Sequence, residues 1–278
     1  MSTTFHQDFF HDGDLIDLVL DLAEGDVRVV MGADAGRASL HLEASDDADF
    51  EPVVARCQGG VLTVDVPPLL GLDGQGRGFA FSLGSVKIGL GSTLTVDTVV
   101  VLPPGSHVKV RTRSGDIRVE EPAGHVDLKT GSGDIHVDRC EEARAATGSG
   151  DLTLLACTGG TATTGSGDVR VGPCPGHLEV RTGSGDVAVG TTGHEASLTV
   201  ATGSGDIAAT LGGGSLEART GTGDVRVEVP RGIPVWLDLS APLGDVERRV
   251  DSVGAPEEGE PFVSVSARTG TGDITVHH

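Results

Sequence analysis

The stretch Thr182-Gly183-Ser184-Gly185-Asp186-Val187-Ala188-Val189 constrains this chain more than any other, because near copies of it recur along the whole second half. Aligned on their Asp, the copies fall at Asp116, Asp134, Asp151, Asp168, Asp186, Asp206, Asp224 and Asp273, with a weaker one at Asp245 and an outlying relative at Asp26. From Asp116 to Asp224 the spacings are 18, 17, 17, 18, 20 and 18 residues. A repeat this short is one supersecondary unit, unable to bury an apolar face until neighbours stack on it.

The residue after each Asp is aliphatic (Ile117, Ile135, Leu152, Val169, Val187, Ile207, Val225, Ile274), and the one two further on is Val, Leu or Ala. The residue between them is mostly polar, as at Arg118, His136 and Arg170. Such period-2 alternation marks a strand with one buried face. A second alternating run precedes the corner, as at Leu178 and Val180 or Leu198 and Val200. Two strands and two turns leave no room for a crossover helix, so equivalent strands must lie side by side, about 4.8 Å apart. The expected fold is all-β: a single parallel β-solenoid of about 18-residue, two-strand coils with an irregular β N-terminal cap.

The corner residues are Gly131, Gly133 and Asp134; Gly148, Gly150 and Asp151; Gly165, Gly167 and Asp168; Gly183, Gly185 and Asp186; Gly203, Gly205 and Asp206. Glycine supplies positive φ, and Ser and Asp side chains accept hydrogen bonds from turn N–H groups. The Thr four positions before each Asp shares parity with the inward residues, so its hydroxyl is placed to tie the corner.

Along the chain, residues 1–103 read as an irregular β region and cap, and residues 104–278 as regular coils continuous with it. Glu24-Gly25-Asp26 is a degenerate corner, so the first part opens the same solenoid. With 43 Gly, 7 Phe, 1 Trp and no Tyr the core must be thin and aliphatic, and Phe5, Phe9, Phe10 and Phe50 are natural capping material. Residues 67–92 are Gly-rich and read as a flexible surface loop. Within it Gly74-Gln75-Gly76-Arg77-Gly78 is a weak phosphate-loop signal, with no helix pattern after it. Phe79 and Phe81 are candidate partner contacts. Leu243-Gly244-Asp245 is an eroded corner, residues 253–261 insert a charged loop, and residues 262–278 return to the consensus. Nothing follows that last coil, so its strands are expected to stand open and to pair tail to tail in a homodimer.

The net charge of −21 excludes a nucleic-acid partner and anionic membrane surfaces, both of which are bound through Lys and Arg. Residues 1–14 lack a basic, then apolar, leader, and no run approaches 18 apolar residues. The expectation is a soluble, cytoplasmic protein without direct membrane insertion, and four Cys are too few for a disulfide scaffold.

Repeated Thr-Gly-Ser-Gly-Asp-Val-x-Val corners, an irregular β N-terminus and the strand end Val99 to Gly105 together resemble the bacterial Toastrack family, also labelled a putative adhesin or β-strand-repeat domain of unknown function. The resemblance covers about residues 10–278. It implies an all-β repeat domain that accompanies membrane modules of envelope-stress systems, with no catalytic residues to carry over.

Three constellations carry chemistry. Stacked carboxylates about 5 Å apart repel unless they are hydrogen-bonded, paired with Arg or bridged by a cation. Calcium β-rolls have two Asp corners per coil whereas this repeat has one, so turn capping is expected, helped by Arg111, Lys129, Arg181, Arg219 and Arg268. If calcium binds, Asp134, Asp151, Asp168 and Asp186 would hold it. Cys140, Cys157 and Cys174 recur six residues after their Asp and read as a packed column of reduced thiols. Ser114, Ser132, Ser149, Ser166, Ser184 and Ser204, with His107, His125 and His177, repeat as structural positions do, whereas a catalytic triad is needed once. The expected function is a cofactor-free, non-catalytic scaffold or adaptor for a protein partner. A calcium-binding adhesin-like module is the alternative, and a carbohydrate-active β-helix enzyme the third reading.

Overall fold

Alternating apolar residues fix which side of each strand faces in, and the repeat length fixes where the next strand lies. The computed structural model describes residues 2–46, 48–69, 80–83, 86–89, 94–191, 193, 195–251 and 262–278, with the backbone alone at 80–83, 86–89 and 121. These residues contain no helix and build coils of a parallel β-solenoid. They fall into two compact units, Met1–Ser132 and Gly133–His278.

In Gly133–His278 an approach strand leads into each Gly-Ser-Gly-Asp corner and a shorter exit strand leaves it. Approach strands His177–Ser184, Ser197–Ser204 and Gly214–Thr222 pair in parallel, stacking Leu178 on Leu198 on Leu216. Exit strands Val187–Gly190, Ile207–Thr210 and Val225–Glu228 do likewise, Val187 on Ile207 on Val225. Leu178, Val180, Thr182, Val187 and Val189 are buried, while Arg181 and Ala188 are exposed. The core is therefore a set of one-residue columns, each fully buried Val or Leu contributing about 1.5–3 kcal/mol. Cys140 stacks directly on Cys157 in this scheme.

The last coil is not the outermost one. Val263–Thr271 pairs with Gly214–Thr222 on one side and with Val235–Ser240 on the other. Its exit strand Ile274–His277 likewise lies between Val225–Glu228 and Val246–Arg249. The expectation that the C-terminal coil stands open is thus corrected: it slots in behind a coil that precedes it in sequence. The physical reason is that coil 235–249 tolerates only one neighbour. Arg248 sits in the column of Val276, where a second neighbour would bury an unpaired charge. Pro242 stands at the corner with no N–H to donate to a further coil.

In Met1–Ser132 the same inversion occurs. Asp17–Glu24 and Val27–Met31 form a coil around Gly25-Asp26, as expected from that degenerate corner. On one side it carries Val108–Ser114 and Ile117–Ser132, and on the other Val61–Val66 and Val96–Leu102. Antiparallel strands then close the stack: Val54–Gln58 on Val61–Val66, Arg37–Ala44 on Val96–Leu102, and Thr3–Phe10 on Arg37–Ala44. Phe9 is buried in this cap, Phe5 and Phe50 rings lie 6.0 Å apart, and Arg37 sits 5.5 Å over the Phe10 ring.

Within residues 67–92, expected as a loop, Ala80–Leu83 and Val86–Gly89 pair as an antiparallel hairpin. Alternation in Phe81-Ser82-Leu83 and Val86-Lys87-Ile88 is the signal the glycines obscured. Gly74 to Gly78 and Phe79 lie outside the described residues, and Phe81 stands opposite Ile88 in the hairpin register.

Candidate functional site

The repeated corner concentrates charge, backbone polarity and close approach in one place. Gly185 has φ 142°, and a Cβ added there would stand 2.0 Å from the Gly167 carbonyl oxygen of the adjacent coil. Gly133, Gly150, Gly167 and Gly205 share the positive φ. Gly183 is required for space alone, since its Cβ would lie 2.5 Å from Gly165 O.

Along the stack a corner carboxylate accepts a hydrogen bond from the Asp backbone of the neighbouring coil. Asp151 N–H donates to Asp134 Oδ1 at 2.8 Å, Asp168 to Asp151 at 2.8 Å, Asp186 to Asp168 at 2.9 Å and Asp206 to Asp186 at 2.8 Å. The series continues through Asp224 and Asp273, and ends with Asp245 N–H donating to Asp273 Oδ1 at 2.8 Å. In the first unit Asp116 N–H donates to Asp26 Oδ1 at 2.8 Å and Asp26 N–H to Asp97 Oδ1 at 3.3 Å. Asp97 has no glycine corner around it, so its place in the ladder comes from strand register and not from a motif. The buried Thr hydroxyls add a second tie: Thr182 donates to Gly167 O at 3.2 Å and Thr220 to Gly205 O at 3.0 Å.

At Asp151, Asp168, Asp206 and Asp224 the second carboxylate oxygen meets an arginine of an exit strand. Arg170 lies 3.0 Å from Asp168 Oδ2 and 3.8 Å from Asp151 Oδ2, and Arg226 lies 2.7 Å from Asp224 and 3.2 Å from Asp206. The arginines expected to help, five positions before the Asp, point elsewhere: Arg181 pairs with Glu179, Arg219 with Glu217, and Arg268 with Asp238 at 3.2 Å. They occupy the outer face of the approach strand, whereas the Asp shares a face with the residue two places after it. A cation bridging this ladder would have to displace an N–H from one oxygen and, at these corners, a guanidinium from the other. Among the described residues no group of three or more His, Cys, Asp and Glu is disposed to hold a metal ion.

The three column cysteines are buried free thiols. Burial, with Cys174 nearby, pushes Cys140 up to about 12. Cys157 is raised because its S–H is held by Cys174, and that same bond draws Cys174 below the usual thiol range. The recurrent His and Ser are kept apart. His177 opens its approach strand and Ser184 closes it, a separation of roughly 20 Å at about 3.3 Å per residue. His107 Nδ1 accepts the His125 N–H at 2.8 Å, with the two rings edge to face.

Other surface features escaped the sequence reading. Arg28 and Arg118, from adjacent coils, both grip Glu120 at 2.9 Å, and the Arg28 hydrogen bond holds that carboxyl below the usual range. In the second unit the exit-strand column reads Arg170, Ala188, Ala208, Arg226. The two alanines leave a shallow depression of about 440 Å³, bordered by Arg170 and by Leu155, which is 51% exposed.

The Toastrack DUF4097 family model matches residues 16–277. No curated protein matches the sequence. Among solved structures, a "putative lipid binding protein" from Parabacteroides distasonis ATCC 8503 aligns over 98% of this chain and 96% of its own, at 12% identity and a TM-score of 0.50. A "putative adhesin" from Bacteroides fragilis NCTC 9343 aligns over 99% and 97%, at 13% identity and a TM-score of 0.48. The likeness at such identity concerns the fold alone.

Proposed function

This chain belongs to the Toastrack family, and from that premise we propose that it is a non-catalytic β-solenoid scaffold or adaptor for a protein partner. One observation carries the proposal: the conspicuous repeated polar groups are spent on the fold itself. The corner Asp oxygens cap backbone N–H groups and meet Arg170 and Arg226, the Thr hydroxyls tie glycine carbonyls, and Ser and His sit at opposite ends of their strands. What is left is flat, ladder-like surface, the kind of extended face that repeat proteins use for binding. The exit face of the second unit is the preferred contact, because the Ala188 and Ala208 depression offers apolar area beside Arg170, and interface cores favour apolar groups with arginine. The family's company of membrane modules directs the choice of partner to a bacterial envelope-stress component met on the cytoplasmic side. Three thiols packed in one column are in keeping with a reducing compartment.

The test is site-specific photo-crosslinking in the native host, with the probe at Ala188 or Ala208 and a control probe at Thr199 on the approach face. A discrete adduct at the exit face, weakened by Arg170→Glu, is expected. Equal diffuse labelling from both faces, or turnover of a glycan panel by the purified protein, would overturn the proposal.

A further inference from the structure

We infer that Cys157 and Cys174 are a redox-active thiol pair, closed into a disulfide by a peroxide-class oxidant and reopened by a dithiol reductant. The inference holds whichever partner the faces bind.

Cys140, Cys157 and Cys174 follow the exit strands of three successive coils and share one column of the core, but their surroundings differ. Cys140 lies inside the unbroken strand Ile135–Ser149, opposite Cys157 of the next coil. Cys157 comes after a bend at Leu155 and Ala156 and opens the strand Cys157–Ser166. Cys174 belongs to no strand: it stands between Val169–Pro173 and His177–Ser184, flanked by Pro173 and Pro175. Neither proline has an N–H to give to a neighbouring coil, and the register slips between Val171 and Pro173. The Cys174 N–H itself reaches Gly190 O at 3.3 Å, longer than the usual range. Of the three thiols, Cys174 therefore hangs on the least tied backbone.

The two chain segments are pressed together on either side of the pair. A Cβ added at Gly172 would stand 2.1 Å from Leu155 O, and one at Gly176 would stand 2.2 Å from Thr158 O. Cys157 and Cys174 sit between these two contacts, which brings the Cys157 S–H onto the Cys174 sulfur. That hydrogen bond draws Cys174 down to about 7, so a share of it is thiolate at neutral pH, and pushes Cys157 up.

A thiolate with a second thiol resting on it is a nucleophile beside its resolving group. The Cys174 sulfur attacks the O–O bond of hydrogen peroxide and keeps one oxygen as a sulfenic acid, while the other oxygen takes a proton and leaves as water. The Cys157 sulfur then attacks the Cys174 sulfur, and the sulfenic hydroxyl departs with the Cys157 proton as a second water. In sum two thiols give up two electrons and two protons to one peroxide, which becomes two waters. The pair is buried beneath an exposed rim of Leu155, Thr158, Pro173 and Pro175, a cover that so small a solute passes by local opening of the turn. Cys140, pushed up to about 12 by burial and held in its unbroken strand, stays a thiol. Leu155 and Gly172 also border the exit-face depression, so the closed disulfide fixes one rim of it.

The test is to reduce the intact chain, treat it with equimolar hydrogen peroxide, alkylate it and map the peptides by mass spectrometry. A Cys157–Cys174 link that dithiothreitol removes is expected, with Cys57 and Cys140 alkylated. In Cys157→Ala, where the resolving thiol is gone, dimedone should label Cys174 roughly ten-fold more than Cys140. Alkylation of all the cysteines after peroxide, a Cys140–Cys157 link in place of the expected one, or sulfinic acid without a disulfide would overturn the inference. If Cys157→Ala fails to fold, the wild-type map alone decides.

Discussion

At Gly185 two requirements coincide, a positive φ and a Cβ position 2.0 Å from the Gly167 carbonyl oxygen, so even alanine fits neither. Gly185→Ala should lower stability by more than about 2 kcal/mol, read as a fall in the urea midpoint, because the backbone strain adds to a clash that a stacked coil cannot relieve. An unchanged midpoint would show that the corner is slack. Asp186 acts differently, through one oxygen accepting the Asp206 N–H at 2.8 Å. Asp186→Ala leaves that donor unpaired and should cost about 1–3 kcal/mol, whereas Asp186→Asn keeps an acceptor and should cost less than half as much. Equal losses in the two variants would mean that charge, and not the hydrogen bond, is what the position supplies. Neither EDTA nor millimolar calcium should move the wild-type melting temperature by more than a few degrees, since a ligand at 100-fold excess over its Kd would contribute about 2.7 kcal/mol.

Adjacent coils are also joined on their outer faces, and the Arg28–Glu120–Arg118 bridge is the clearest instance. Glu120 has a folded-state pKa held below its unfolded value by the Arg28 hydrogen bond. The stabilisation is therefore present above the unfolded value of about 4.3 and fades as pH falls through the lower folded one. Glu120→Gln should be modestly less stable than wild type at pH 7, and the difference should shrink at about pH 3.5. A difference that persists unchanged in acid would assign the loss to packing. At this scale the sequence was informative wherever the signal was local. The alternation and the glycine corner depend on residues a few places apart and could be read directly, whereas parity placed the Thr hydroxyl inward but its acceptor, a glycine carbonyl of the adjacent coil, is supplied by register. Asp97 could not be read, because its partner Asp26 is set by register between strands far apart in sequence, and the same kind of register brings Arg170 to Asp151 and Arg226 to Asp206, although each arginine also pairs with the Asp two places before it. Parity was the available clue for the arginines, since a residue two places after the Asp shares its face and one five places before it does not.

Within each unit, stacking order and chain order part company at one coil. In the first the coil 17–31 is overlaid by 61–66 and 96–102 before the chain returns at 108, and in the second 263–277 fills the place beneath 235–249. No local pattern encodes this order, which is why the C-terminal coil looked open in the sequence. The usable hint was the erosion at Pro242 and Arg248: a coil that cannot be sandwiched belongs on the outside. Truncation before Phe262 should therefore strip two coils and not one, because 235–249 rests on 263–277. Hydrogen exchange would show residues 235–249 losing protection in the truncated chain, whereas retained protection would mean that they dock on 214–228 directly. The decisive measurement is a pair of engineered disulfides, checked by mass spectrometry of the cross-linked peptides. Ser215 and Ser264 are register partners here, so Ser215→Cys with Ser264→Cys should close readily. Ser215→Cys with Trp236→Cys, the pair that simple chain-order stacking would bring together, should remain reduced; its closure in place of the first would contradict the fold described.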